Sequence, residues 1–327
     1  MTSSTKEYEH LLMVYDNQIV TPVRVRDYSS LDHSVTLKFK RFRTDELPQR
    51  FPASEVPKVL FLVHAIETRN MSLFFQALDE HTAVQKTLHH GWYPLHYAAE
   101  FGFVSAVEKL LEMGSCPRAL SDTLQIPLTL AARRGNVRIM QLLLAAAPDS
   151  VDHTDYNGET PLFILVQRWS RLSGQLSSFK SLYFIAAAAL LITYGADLDR
   201  RNAKDYMNVL HLAAQFGKHE ILRLFINRCK QDELDYLLNS IDREGDTPLM
   251  LNSYKAQSKE VVKVLRFAGA DVSILNLRKE NAAAILPPSK KGKMVRELLE
   301  CDLETLSQQN PLSPPTSPRT WGKESCI

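Results

Sequence analysis

The chain has 327 residues, 45% hydrophobic and 23% charged, and its 39 basic and 37 acidic residues leave a formal charge of +2. That is ample apolar material for a folded core, and too balanced a charge for a global field aimed at nucleic acid or an acidic membrane. The four cysteines (Cys116, Cys229, Cys301 and Cys326) lack any paired spacing, which argues against a zinc knuckle or redox pair and fits reduced thiols in a cytosolic or nuclear setting.

The N-terminus, "MTSSTKEYEH", is polar and has no apolar signal core. Residues 8–58 are β-rich: "LLMVY" (11–15), "IVTPVRVR" (19–26) and "SVTLKFKRF" (34–42) predict a small three-stranded antiparallel sheet that packs on the helices after it. "KFKRFR" (38–43) alternates cations with aromatics, as a nucleic-acid face does; a half-buried strand with a solvated basic side is the favoured reading, and nucleic acid is kept as an alternative. "ELPQRFPASEVP" (46–57) reads as a Pro-punctuated linker.

From residue 59 the chain repeats itself. Pro94 in "YPLHYAAEFG", Pro127 in "IPLTLAARRG" and Pro161 in "TPLFILV" follow one another at 33 and 34 residues. Val209 in "NVLHLAAQFG" and Pro248 in "TPLMLNS" follow at 48 and 39, so those two steps carry insertions of roughly 15 and 6 residues, expected in loops. Each small pair (Ala98-Ala99, Ala131-Ala132, Ala213-Ala214) leads to a Gly and then an amphipathic run such as "VSAVEKLLEMG". "DYNG" (155–158) and "DREG" (242–245) supply tight turns between copies. "VLFLVHAIETRNMSLFFQALDE" (59–80) stands in register before the first full copy, and "NAAAILPP" (281–288) with "KMVRELLECDL" (293–303) after the last, as degenerate caps.

The "TPLH" opening, "AAxxG" centre and "LLxxGAD" close, the last seen in "LLITYGADLD" (190–199), resemble the ankyrin repeat over about residues 60–303. The resemblance implies a mainly α fold: an ankyrin-repeat solenoid of helix–loop–helix units joined by β-turns, beside a small β-rich N-terminal segment. Pro at the first helical position loses no hydrogen bond, and a single unit cannot bury its own faces, so neighbours must stack. Five clear repeats and two caps place the boundaries at 1–58, 59–303 and 304–327. The fifth repeat's turn, "NAKDYM" (202–207), has no Gly, and the sixth repeat lacks the Ala pair and Gly; looser interfaces are expected there.

"RWSRLSGQLSSFKS" (168–181) splits the fourth repeat between its helices, as an extended loop or as lengthened helix ends. The nearby apolar run "YFIAAAALLITYG" (183–195) is shorter than the roughly 20 residues that span a bilayer, so the chain reads as intracellular, cytoplasmic with the nucleus open to it. The tail "SQQNPLSPPTSPRTWGKESCI" (307–327) reads as disordered, with Ser313 and Ser317 as sites for proline-directed kinases. Its end, with Ser325 and Ile327, fits the pattern that PDZ domains accept by strand addition.

Catalytic patterns are missing: there is no GxSxG, HExxH, phosphate-cradling GxxxxGK[ST] or Rossmann fingerprint. No enzyme activity and no cofactor are expected. A metal at His89, His90 and His96 is not expected either, because His96 recurs as His211 in the same repeat slot. The family resemblance implies that this His is buried and bonds backbone across repeats. It further implies a rigid array whose concave face binds a protein. Candidate partner-binding residues at turns and first-helix ends are Trp92, Phe101, Arg133, Arg134, Tyr156, Arg168, Trp169, Tyr206 and Phe216. Arg133-Arg134 beside Arg168 would form a basic stripe for an acidic or phosphorylated segment. The function expected is a non-enzymatic scaffold or adaptor. The alternatives are recruitment of regulatory or ubiquitin-ligase machinery, and nucleic-acid binding through the basic N-terminal segment.

Overall fold

The computed structural model describes residues 13–15, 18–23, 38–43, 58–78, 91–172, 178–255 and 258–301. The chain divides into two compact units, Met1–Ser150 and Val151–Ile327. In the N-terminal stretch the backbone of β1 (Met13–Tyr15), β2 (Gln18–Val23) and β3 (Lys38–Arg43) pairs antiparallel in the order β1-β2-β3, with Val20 opposite both Met13 and Arg41.

The first unit then proceeds as helix pairs: α1 (Lys58–Glu67) and α2 (Met71–Ala77), α3 (Pro94–Phe101) and α4 (Val104–Glu112), α5 (Pro127–Arg134) and α6 (Val137–Ala146). First helices pack on first helices (α1 on α3, α3 on α5), and α4 packs on α6 in a second layer. The sequence dictates both ends of each first helix. Pro94 and Pro127 occupy the first turn, where an amide would lack an intrahelical acceptor. Gly102 turns left-handed at φ 69° and donates to the last carbonyls of α3. Between these ends Ala98, Ala99, Ala131 and Ala132 are fully buried, and their small side chains let the layer close up. Leu95, Leu110, Leu128 and Met140 fill the space between layers, each contributing about 1.5–3 kcal/mol by leaving water.

The leading pair packs on the first full repeat. Leu62, Ala65 and Ile66 are buried, and Phe74 sets its ring edge-on to Phe103 at 5.7 Å. The Arg69 Nε donates to the Phe101 carbonyl at 3.0 Å, closing the C-terminus of α3.

The second unit holds α7 (Pro161–Leu172) and α8 (Ser178–Thr193), α9 (Val209–Gln215) and α10 (His219–Ile226), α11 (Gln231–Leu238), α12 (Pro248–Ser253) and α13 (Lys259–Phe267), and finally α14 (Lys290–Glu300). Here too α7, α9 and α12 pack in sequence as one layer, and α8, α10, α13 and α14 as the other. The fourth repeat's insertion lengthens both helices, to 12 and 16 residues against 8 and 9 in the first full repeat.

Three features differ from the sequence reading. The insertion between α10 and the next turn is a helix, α11, rather than a loop. Its Leu234, Leu237 and Leu238 recur at helical spacing and are buried. In the sixth repeat, Asn252 and Ser253 replace the Ala pair without opening the packing. Both are fully buried, and the Asn252 amide binds Ser258 twice, donating to its carbonyl and accepting from its N–H, each at 3.1 Å. The last first-helix position holds only a turn, closed by Ala284 N–H to the Asn281 carbonyl at 3.1 Å before Pro287-Pro288.

Candidate protein-interaction site

Among the described residues, five turns are each shaped by one buried polar side chain beneath the turn. Ser121 Oγ accepts from the N–H groups of Thr123 (3.3 Å) and Gln125 (2.9 Å). Asp155 Oδ1 accepts from Asn157 (2.9 Å) and Glu159 (3.1 Å), and Asp242 Oδ1 from Glu244 and Asp246, both at 2.9 Å. Asn276 Oδ1 accepts from Arg278 and Glu280, both at 3.0 Å. The fifth repeat, one residue longer here and lacking Gly, uses Asn202, whose Oδ1 accepts from Met207 N–H at 2.8 Å while Tyr206 takes the left-handed position at φ 58°. All five anchors are buried. A short side chain that accepts backbone N–H groups competes locally with water and fixes the turn. The sequence reading has Asp155 and Asp242 in tight turns but misses Ser121, Asn202 and Asn276, although Ser121 stands at the same offset before Pro127 as Asp155 and Asp242 before Pro161 and Pro248.

Within the second unit the turns bond to one another. Ala203 N–H donates to the Asn157 carbonyl (2.8 Å), Arg243 N–H to that of Asp205 (3.0 Å), and Leu277 N–H to that of Glu244 (3.2 Å). This ladder carries outward-facing tips: Tyr156 is 78% exposed, Tyr206 53% and Leu277 75%, and Arg243 is exposed beside them. The Arg201 guanidinium lies 4.8 Å from the centre of the Tyr206 ring, and its Nη1 donates to the Ile241 carbonyl at 2.7 Å.

The two histidines act on the frame. Tyr93 N–H donates to His96 Nδ1 at 3.2 Å, which leaves the proton on Nε2, 3.0 Å from the Gln125 carbonyl in the next turn. His211 repeats the geometry: Nδ1 faces Asn208 N–H at 3.4 Å and Nε2 the Asp246 carbonyl at 3.2 Å. Burial, with Arg201 nearby, pushes the His211 pKa down to about 4. Among the described residues no group of His, Cys, Asp and Glu is placed to hold a metal ion, and no helix is long and apolar enough to cross a membrane.

The residues expected at the interface fall into four sets. Tyr156 and Tyr206 stand exposed at tips. Trp92, Phe101, Arg168 and Phe216 are half-buried, Trp92 with its ring edge-on to Tyr97 at 5.1 Å. Trp169 departs from expectation: it is 2% exposed, stacked on Phe184 at 6.3 Å and covered by Lys218, because the lengthened α8 reaches back over it. Arg133 and Arg134 depart in another way, since both are bound to Glu100, Arg133 at 2.7 Å. Ser313, Ser317, Ser325 and Ile327, with His89 and His90, lie outside the described residues, as do the side chains of 38–43.

The sequence model for ankyrin repeats in three copies matches residues 95–185 and again 182–276, together more than half of the chain. The chain belongs to the ankyrin-repeat family. Ankyrin repeats of this kind imply protein–protein interaction. Among curated relatives, NF-kappa-B inhibitor zeta of Bos taurus is 24% identical over 218 residues, covering 59% of this chain and 30% of its own length. NF-kappa-B inhibitor delta of Mus musculus is 22% identical over 253 residues, covering 73% of this chain and 77% of its own. The chain thus spans under a third of the zeta inhibitor. Among solved structures, the ankyrin repeat domain of Bcl-3, a member of the IkappaB protein family, superposes with a TM-score of 0.57 at 21% identity, covering 73% of this chain and 97% of that domain. The human ASB11 ankyrin repeat domain superposes with the same TM-score at 17% identity, covering 76% and 99%.

Proposed function

We propose that the chain is a non-enzymatic interaction scaffold that holds a protein partner on its turn tips and first-helix ends. The observation that carries this reading is the ladder of turns in the second unit. It fixes the backbone that carries Tyr156, Tyr206, Arg243 and Leu277, so that little backbone entropy is left to lose on binding. Exposed Tyr and Arg on a rigid frame are the residue types that dominate interface energies. The relatives named as NF-kappa-B inhibitors make NF-kappa-B the first partner to test.

The test is proximity labelling in cells and pulldown of NF-kappa-B subunits with the full chain, wild type against Tyr156→Ala/Tyr206→Ala, both checked for an unchanged thermal melt. Loss of specific partners supports the tip assignment; an identical partner set rejects it. Deletion of Ser325 to Ile327 in the same assay tests the PDZ-ligand reading, which fails if no PDZ protein is lost. Phosphopeptide mapping does the same for Ser313 and Ser317.

A further inference from the structure

Several arginines among the described residues are matched by a carboxylate. Glu100 takes Arg133 and Arg134, Asp149 takes Arg118, Glu108 takes Arg138, Asp197 takes Arg200, Asp199 takes Arg201, and Asp246 and Glu280 take Arg278. Others donate to backbone carbonyls instead, Arg69 to Phe101, Arg243 to Ala203 and Arg266 to Cys301. One region stands apart by having no carboxylate of its own. No acidic residue stands between Glu159 and Asp197, in a chain that has 37 of them, while Arg168, Arg171 and Lys180 lie in that stretch.

The fold gathers Arg168 and Arg171 at one end of the α7–α8 pair. The stack of Trp169 on Phe184 brings the C-terminal turns of α7, with Arg168 and Arg171, beside the part of α8 that carries Leu182 and Tyr183, which are 60% and 63% exposed. Lys218, the N-cap residue of α10, adds its ammonium 4.9 Å from the centre of the Trp169 ring. Among the described residues Arg168, Arg171 and Lys218 make no ion pair, and the adjoining Ser173-Gly174-Gln175-Leu176-Ser177 has no carboxylate to offer. Two acids act on the patch from its edges. Glu159 interacts with Arg171, but it is engaged by Gln167 Nε2 at 3.1 Å and burial raises its pKa; Glu220 draws on Lys218 while lying 3.5 Å from His219. Desolvation also disfavours the charged form of Lys218, a cost that an incoming carboxylate would offset.

We propose that this patch docks an acidic segment of a protein partner, with carboxylates on Arg168, Arg171 and Lys218 and an apolar side chain against Leu182 and Tyr183. Charge complementarity and an exposed apolar edge together select glutamate- or aspartate-rich sequence carrying a hydrophobic anchor. A phosphate backbone is the weaker fit, because Trp169 is buried and cannot stack on bases. The inference rests on the protein-binding reading above and names the chemistry of the partner.

The experiment uses the full chain and fluorescence anisotropy with three probes: a glutamate- and leucine-rich peptide, its lysine-for-glutamate counterpart, and a double-stranded DNA oligonucleotide. The acidic peptide binds at low salt, weakens about tenfold in Arg168→Gln/Arg171→Gln, and weakens again as added salt screens the charges. Lys218→Met keeps a cover on Trp169 and removes the charge, and it lowers affinity in the same direction. Should Lys218→Met lower the melting temperature, the arginine pair, which lies nearer the surface, decides. Equal binding of the lysine peptide, displacement of the acidic peptide by DNA, or unchanged affinity in the arginine variant overturns the proposal. Tyr156→Ala/Tyr206→Ala retains peptide binding. A failed peptide assay alongside partner loss in that variant therefore removes the patch and leaves the scaffold function standing.

Discussion

Arg133 places its Nη2 2.7 Å from Oε2 of Glu100, a residue at the same position one repeat earlier. Arg134 binds the other oxygen of the same carboxylate, whose side chain is only 10% exposed. Two cations sharing one nearly buried anion form a tie between successive first helices, with a net charge of +1 where the sequence suggested +2. Glu100→Gln should destabilise the protein by about 1 kcal/mol, a modest figure because both guanidinium groups keep contact with water. Urea unfolding measures it. The same variant should bind polyanions more tightly, since it releases the pair; unchanged stability and unchanged anion binding would show the tie to be incidental.

His211 makes stability depend on pH. Its folded pKa of about 4 lies below the ordinary value of 6.5, so the folded state favours the neutral ring. The stability contributed is complete above the unfolded value and is lost as pH falls from 6.5 toward 4, with a slope of up to ~1.4 kcal/mol per pH unit. His211→Gln should be less stable at neutral pH, by about 1–3 kcal/mol for the lost hydrogen bond to Asp246, and flatter in that window. Denaturant melts of both proteins at successive pH values test this through their difference, in which the carboxylates cancel.

Two glycines separate backbone strain from crowding. Gly114 has φ +84° and open space around an added Cβ, whereas at Gly245, φ +79°, the Cβ would stand 2.9 Å from the Leu277 nitrogen. Gly114→Ala should cost about 1–2 kcal/mol, the left-handed penalty alone. Gly245→Ala adds displacement of the next turn and its bond to Glu244, about 1 kcal/mol more. If thermal melts rank the two variants equally, the ladder between turns contributes little.

Trp169 and Tyr156 were grouped as interface residues by sequence, and alanine should part them. Trp169→Ala removes a buried ring and should cost about 3–5 kcal/mol. Tyr156→Ala, at an exposed tip, should change stability by less than about 0.5 kcal/mol. Paired calorimetry is sufficient to compare them.

What the sequence made legible was whatever recurs. Pro94, Pro127, Pro161 and Pro248, with the Ala pairs, announce helix starts and close packing because those constraints are local and identical in every copy. The helix α11 is hidden because a 39-residue step reads as a repeat plus loop, although Leu234, Leu237 and Leu238 hold helical spacing. The burial of Trp169 and the capture of Arg133 by Glu100 could not be read locally, since each depends on an element stacked from elsewhere in the chain. At the candidate site Tyr156 and Tyr206 are legible as turn residues, whereas Ser121, Asn202 and Asn276 are not legible as anchors, because a lone short polar residue gains that role only once the turn closes over it.

That arrangement of anchor and tip divides labour within each turn. Asp155, Asn202, Asp242 and Asn276 hold the backbone from below, while Tyr156 and Leu277 stand exposed above it. Arg243 alone of these three tips adds a bond of its own, Nη2 to the Ala203 carbonyl at 2.8 Å. Tyr156 and Leu277 are therefore interchangeable parts. A new partner can be acquired by rewriting one exposed residue at a time, without refolding the protein that presents it.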